Sequence, residues 1–236
     1  MQVAWKNIGA DSRSLDFNRD VLGQTIAGLF GLLLGVHWLA SYSYSLGYDL
    51  PLWVYNGWFL KNALFEGSIP NWSFLAASGQ PFFKISGLSD GVLVAVAMRI
   101  FGDYFGVQVV MCALYVIAAV GFFTLARVFI GCRHSAMAAC GAYVLSWFMT
   151  FTANFQAYIS NFFVYALLPW FVLFALQALL YFSLRPVCWA AIILALSILA
   201  NPQVAIKAVV IGAIVTVDRK STRLNSSHSS VSRMPS

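Results

Sequence analysis

Residues 104–126 read YFGVQVVMCALYVIAAVGFFTLA, an uncharged apolar run set between Asp103 and Arg127. An α-helix needs about 20 such residues to cross the hydrocarbon core of a bilayer, whereas a soluble helix of that length carries a polar face. The run therefore reads as a membrane helix, and the composition says the same of its surroundings. The 236 residues are 61% hydrophobic, 16% aromatic and only 9% charged, with a mean hydropathy of +0.79. Soluble domains carry about one charged residue in four. That balance excludes a soluble enzyme, a nucleic-acid-binding protein and a disordered scaffold. The expected fold class is all-α: a polytopic helical membrane protein of about six membrane segments, with a large first extracytoplasmic loop bearing interfacial helices.

Upstream of this run, an apolar stretch from about Val21 to Ala40 follows a polar segment, residues 1–20, in which Lys6, Arg13 and Arg19 face Asp11, Asp16 and Asp20. It is long enough to span and longer than the h-region of a cleavable signal, so it reads as a retained first helix. Between them, residues 42–103 form the one long polar-bearing loop. Leu50 to Glu66, with Trp53, Tyr55, Trp58 and Phe59, is too polar to span and too apolar to be solvated, which places it at headgroup level. Asp49 stands at the N-cap position of that helix and Pro51 in its first turn. Val92 to Met98, bounded by Asp90 and Arg99, is too short to span and reads as re-entrant or interfacial.

Downstream, Ser135–Ala153, Phe162–Phe182, Val187–Leu199 and Val204–Val217 read as further segments. Asn201-Pro202-Gln203 separates the last two, because proline lacks the backbone donor and opposes helix at the residue before it. The result is a break between helices or one discontinuous membrane helix. Lys/Arg bias in the short loops puts the N-terminus in the cytoplasm, with Arg127, Arg133 and Arg185 on the same side and Lys61, Lys84 and Arg99 outside. The four cysteines, Cys112, Cys132, Cys140 and Cys188, form no CxxC pair and read as packing residues.

From Asp218 the chain changes character. DRKSTRLNSSH, residues 218–228, resembles the translation of a common sequencing-library adapter, and residues 218–236 are expected to be a non-native tail. Setting them aside removes four of the 14 Lys and Arg and one of the 8 Asp and Glu, so the net charge falls from +6 to +3. The expected division is a cytoplasmic segment 1–20, a partial transmembrane domain 21–217 and the tail.

Candidate chemistry concentrates in the outer loop. Asp49 lies just past the outer end of the first span, where a carboxylate can act as general base or hold a divalent cation against a phosphate. The same residue also reads as a plain helix N-cap. Glu66, Asp90 and Asp103 are further carboxylates; Asp90 follows the flexible Gly87-Leu88-Ser89, and Asp103 reads as the N-cap of the next span. Lys84, Arg99 and Lys207 can pair with phosphate or snorkel to headgroups. Lys207, close to the Asn201-Pro202 break, is an ionisable residue within a membrane segment. His37 is expected to bond a neighbouring helix. Asn154, Gln156, Asn161 and Gln203 are amides that can line a sugar-sized pocket or cap helix ends.

Three short motifs in the loop form a pattern. Gly47-Tyr48-Asp49-Leu50-Pro51, Gly67-Ser68-Ile69-Pro70-Asn71-Trp72 and Gly79-Gln80-Pro81 follow in the order G-x-D, G-x-x-P-x-W, G-x-P. This resembles the first loop of YfhO-like bacterial membrane proteins, which belong with the GT-C membrane glycosyltransferases. Ala200-Asn201-Pro202-Gln203 is similar to a G-H-P-Q element of that family, with Ala and Asn in place of Gly and His. The resemblance covers about residues 20–217, and it implies a multi-span plasma-membrane enzyme moving a sugar from a polyprenyl-phosphate donor to an extracytoplasmic acceptor. It implies Asp49 as the catalytic candidate. Beside it the reading of the loop and the break sets Asp90 as a second acid and Lys84, Lys207, Asn201, Gln203, Trp72 and Gln80 as substrate-binding candidates. The cofactor is left open, with a divalent cation at Asp49 as one candidate. The implied partners are the lipid bilayer and the lipid-linked sugar, with no nucleic acid. Further helices are expected in the complete enzyme, and this piece alone is expected to be inactive. Two other classes fit the composition: a transporter or lipid-handling protein with its site at the Asn201-Pro202 break, and a non-catalytic accessory subunit. A transporter places ionisable groups within the spans, whereas the acids here are expected to gather in one outer loop.

Overall fold

Gly23, Ala27, Gly31 and Gly35 recur every fourth residue and so line one face of helix α1 (Val21–Ala40), where all four are buried. In the computed structural model this face lies against α4 (Asp103–Phe129), and the two helices run antiparallel. A β-carbon on Gly35 would meet the Cα and Sγ of Cys112 at 2.9 Å, one on Gly31 the carbonyl of Tyr115 at 2.7 Å, and one on Gly23 the ring of Phe123 at 2.3 Å. Small residues at this spacing let backbones approach closely, which is how helices associate where lipid removes the hydrophobic drive. A side-chain bond, Gln24 Nε2 to Thr124 Oγ1 at 3.3 Å, joins the same two helices.

The structure describes residues 20–40, 50–65, 72–73, 80–81, 87–150, 158–181, 183–207, 209–210 and 213. The remaining elements are α2 (Leu50–Phe65), β1 (Trp72–Ser73), β2 (Gln80–Pro81), α3 (Leu88–Phe101), α5 (Arg133–Val144), α6 (Trp147–Thr150), α7 (Ile159–Tyr181) and α8 (Leu184–Ala200). The two strands form a single antiparallel ladder in which Trp72 stands opposite Pro81 and Ser73 opposite Gln80. Helical backbone resumes at 202–207.

Central to the bundle is α4, which packs against α1, α3, α5 and α7. The Tyr115 ring meets Phe162 at 4.8 Å, and Trp170 fills the space left by Gly121 while donating Nε1 to the Ile117 carbonyl at 3.0 Å. These contacts advance together along both chains, so α4 and α7 run parallel. Between them, α5 is held by the Cys140 thiol on the Ala119 carbonyl at 3.2 Å and the Tyr143 hydroxyl on the Tyr165 carbonyl at 2.6 Å.

A tight hairpin joins α3 to α4. Gly102 supplies the turn at φ 89°, a region L side chains avoid. One turn on, Gly106 presses on α3 so closely that a β-carbon would fall 2.5 Å from the Met98 nitrogen. Beside this turn, Lys61 of α2 pairs with Asp103, and the Arg99 guanidinium lies 5.2 Å from the centroid of the Phe65 ring.

Among the described residues, three helices are long and apolar enough to cross a membrane: Val21–Ala40, Asp103–Phe129 and Ile159–Leu179. Large apolar side chains such as Leu29, Leu33, Ile100 and Leu184 are exposed on the bundle, as a lipid-facing surface requires. Apart from the two-residue ladder, the elements of the described residues are helical, consistent with a membrane protein. Several expected segments take another form. Ser135–Ala153 does not begin as one span, since α5 closes at Val144 and α6 is a separate turn from Trp147. The stretch from Val187 is part of the 17-residue α8, which is shorter than a usual span. Val92–Met98 belongs to a longer helix, α3, that includes both of its flanking charges. Segments 1–19 and 214–236 lie outside the described residues.

Candidate functional site

The strongest concentration of buried polar groups lies where α3, α7, α8 and the helix after residue 201 meet. Pro202 ends α8, and Asn201 serves both helices. Its backbone N–H donates to the Ser197 carbonyl at 2.9 Å, while its side-chain oxygen accepts from the backbone N–H of Gln203 at 3.1 Å and of Val204 at 3.3 Å. Asn followed by Pro is a favoured way to start a helix, because Asn caps the free amides and Pro has none to cap. The remaining amide group is also engaged: Asn201 Nδ2 donates to Asn161 Oδ1 at 2.7 Å.

The start of α3 docks on the end of α8. Gly87, in the left-handed region at φ 88°, donates its N–H to the Ala200 carbonyl at 2.7 Å, and Ser89 Oγ donates to the Leu196 carbonyl at 2.8 Å. The first occupies a carbonyl that the last turn of a helix otherwise leaves free, and the second adds a donor to a carbonyl one turn earlier. They also carry Asp90, in the first turn of α3, into the interior.

Asp90 is 0% exposed. The Ser160 hydroxyl donates to its Oδ2 at 2.6 Å, while Oδ1 is buried without a hydrogen-bond partner. Among the described residues no cation pairs with it. The amides of Asp90 and Gly91, at the start of α3, compensate the carboxyl only in part. Position follows from the hairpin. Since Gly106 meets Met98, Asp90 lies two turns further from the Gly102 tip, level with the middle of α4 near Leu114. The Phe162 contact with Tyr115 puts Ser160 at the same level. Asp90 is thus inside the bundle, beneath the hairpin tip, and not among loop carboxylates.

The other expected site residues fall in several places. Asp49, Glu66 and Lys84 lie outside the described residues, and with Asp49 goes its expected capping of α2. Trp72 and Gln80 come to the same two-residue ladder, one register apart. Asn201 is buried in the polar centre, but Gln203 joins it only through its backbone, its side chain being exposed, and Lys207 is exposed. Asp103 is not an N-cap: Gly102 takes that position and Asp103 pairs with Lys61. His37 Nδ1 contacts the carbonyl of Leu34 in its own helix at 2.5 Å, and its ring lies 5.5 Å from Trp38 and 6.2 Å from Tyr115. Among the described residues no group of three His, Cys, Asp or Glu side chains comes together.

A second polar centre, at the opposite end of the bundle, had only composition to announce it. Asp20 is 8% exposed and caps α1 through its Oδ1, which accepts the Gly23 N–H at 2.9 Å. Arg127 Nε donates to Oδ2 at 3.0 Å, and Arg133 spans both oxygens at 2.8 and 3.0 Å. Hydrogen bonding from Arg133, aided by both positive charges, holds the Asp20 carboxyl below its ordinary value despite burial. The clasp ties the start of α1 to the end of α4 and the start of α5. Arg127 and Arg133 are therefore at one end of the bundle and Lys61 and Arg99 at the other, the separation expected from the charge bias.

Two cysteines depart from the packing role: Cys112 and Cys140 are buried, whereas Cys132 and Cys188 are exposed. Cys132 caps α5, where hydrogen bonds from Ser135 and His134 pull its thiol down to about 6. No family model, curated protein or solved structure matches the chain.

Proposed function

We propose that the chain is the N-terminal part of a GT-C-type membrane glycosyltransferase, resident in a bacterial plasma membrane with the Asp20 end cytoplasmic and the Gly102 hairpin extracytoplasmic. It transfers a sugar from a polyprenyl-phosphate donor to an outer acceptor. The observation that carries the reading is the polar centre: a carboxyl, a hydroxyl and two amides converge in the hairpin half of an otherwise apolar bundle. Carboxyl and amide groups supply the acceptors and donors that sugar hydroxyls need, and the apolar faces around them suit a polyprenyl chain. In this reading Asp49 acts as base on the acceptor or as ligand to a cation, and Asp90 is the second acid. Asn201, Gln203, Trp72 and Gln80 bind sugar, and Lys84 or Lys207 neutralises the phosphate that departs as the anomeric carbon is attacked.

The test uses the complete protein and a polyprenyl-phosphate-linked sugar. Asp49→Asn and Asp90→Asn should each lower transfer by about 10²-fold or more, the scale of a lost acid–base group, while the protein still inserts. Near wild-type transfer by both variants would refute the assignment.

One observation favours a second reading. Asp90 lies inside the bundle beside a helix discontinuity, the arrangement by which transporters bind substrate or coupling ion. Proteoliposome assays separate the two. Asp90-dependent solute uptake without sugar transfer supports transport, and transfer without uptake supports the enzyme.

A further inference from the structure

Asp90 has the features of a group that binds something small. A buried carboxylate normally has its charge met by a cation or several donors, because an unpaired charge in a low-dielectric interior is costly. Here Oδ2 has one neutral side-chain donor, Ser160, and Oδ1 has no partner at hydrogen-bond geometry, the amides of Asp90 and Gly91 compensating the charge only in part. We infer that Asp90 is a proton-binding site within the bundle, where Oδ1 takes up and releases a single proton while Ser160 holds Oδ2 in place.

The surrounding groups leave this role to Asp90. On α2, Lys61 is engaged with Asp103 of α4. On α4 and α7, the phenols of Tyr115, Tyr158 and Tyr165 do not bond Oδ1. On α8, Arg185 and Cys188 lie at the far end of the helix, and Lys207 after the break is exposed. On α1, His37 is turned to the Leu34 carbonyl. The amides of Asn161 and Asn201 bond each other and do not titrate. Among the described residues no neighbouring charge therefore fixes Asp90 in its ionised form, and the start of α3 offers the anion partial compensation. Uptake converts the carboxylate and a hydronium ion to a carboxylic acid and water, with no other bond changed. The site stands whichever activity the complete protein has.

Infrared difference spectroscopy of the full chain in lipid nanodiscs tests the site without reference to activity. A protonated-carboxyl carbonyl band should fade as pH rises. It should be missing in Asp90→Asn. Because the Ser160 bond favours the charged form, Ser160→Ala should bind the proton about tenfold more tightly, moving the midpoint upward by about one pH unit. If Asp90→Asn does not fold, Ser160→Ala alone decides, and an unmoved midpoint overturns the inference. A band that persists in Asp90→Asn, or none at any pH, also overturns it. So does a midpoint that follows sodium or magnesium concentration at fixed pH, which would place a metal cation at Oδ1.

Discussion

Asp20 and Asp90 are the same residue type in opposite surroundings, one clasped by two arginines and the other met by a single hydroxyl. Asp20 is depressed by Arg133 and Arg127, so its contribution is complete above the ordinary carboxyl value of 3.8 and is lost as pH falls through its lower folded value. Asp20→Asn should cost about 1–3 kcal/mol, less than a fully buried pair because both arginines are partly exposed, and should remove that acid-side loss. Unfolding in detergent followed across this acid range checks it, with a flat wild-type profile contradicting the assignment. At the thiols, Cys132 should alkylate faster than Cys188, which is also exposed, at neutral pH. Equal rates would mean that Ser135 and His134 do not lower its pKa.

Helices show most clearly what was legible in advance. The run at 104–126 became α4, extended by one residue at its start and three at its end. Length and hydropathy suffice for a span of that kind. The Asn201-Pro202 break was equally legible, because the missing proline donor acts locally. The division of 135–153 at Leu145 and Ser146 was not, since average hydropathy is insensitive to a single turn. The spacing of Gly23, Ala27, Gly31 and Gly35 is a signal in the sequence that was available but unread. Gly35→Leu should separate α1 from α4, because its β-carbon falls 2.9 Å from the backbone of Cys112 and has no room to yield. Overpacking of this kind costs about 1–3 kcal/mol or more, and a lowered thermal midpoint in detergent would register it. An unchanged midpoint would mean that the close approach does not hold the pair together.

At the scale of the molecule, the depth of Asp90 was beyond the reach of sequence reading. In one dimension it stands between polar loop residues and a short apolar stretch, and the loop assignment followed. What moves it inward is a combination of distant features: the Gly102 turn, the press of Gly106 on Met98, and the bonds from Gly87 and Ser89 to the end of α8. Its place after Gly87-Leu88-Ser89 marked Asp90 as an acid of interest, whereas its burial and its partner came from the packing. The acids thus do not all gather in one outer loop, and the distinction drawn on that basis between enzyme and transporter loses its force.

The most direct measurement is a cross-link across the polar centre. In the full chain in membranes, with the native cysteines replaced, Asp90→Cys and Ser160→Cys should join on mild oxidation, since the native side chains meet at 2.6 Å. The account predicts rapid disulfide formation, with each single variant shielded from a membrane-impermeant thiol reagent. Two thiols that stay reduced and react freely with that reagent would put Asp90 in a surface loop and contradict the account.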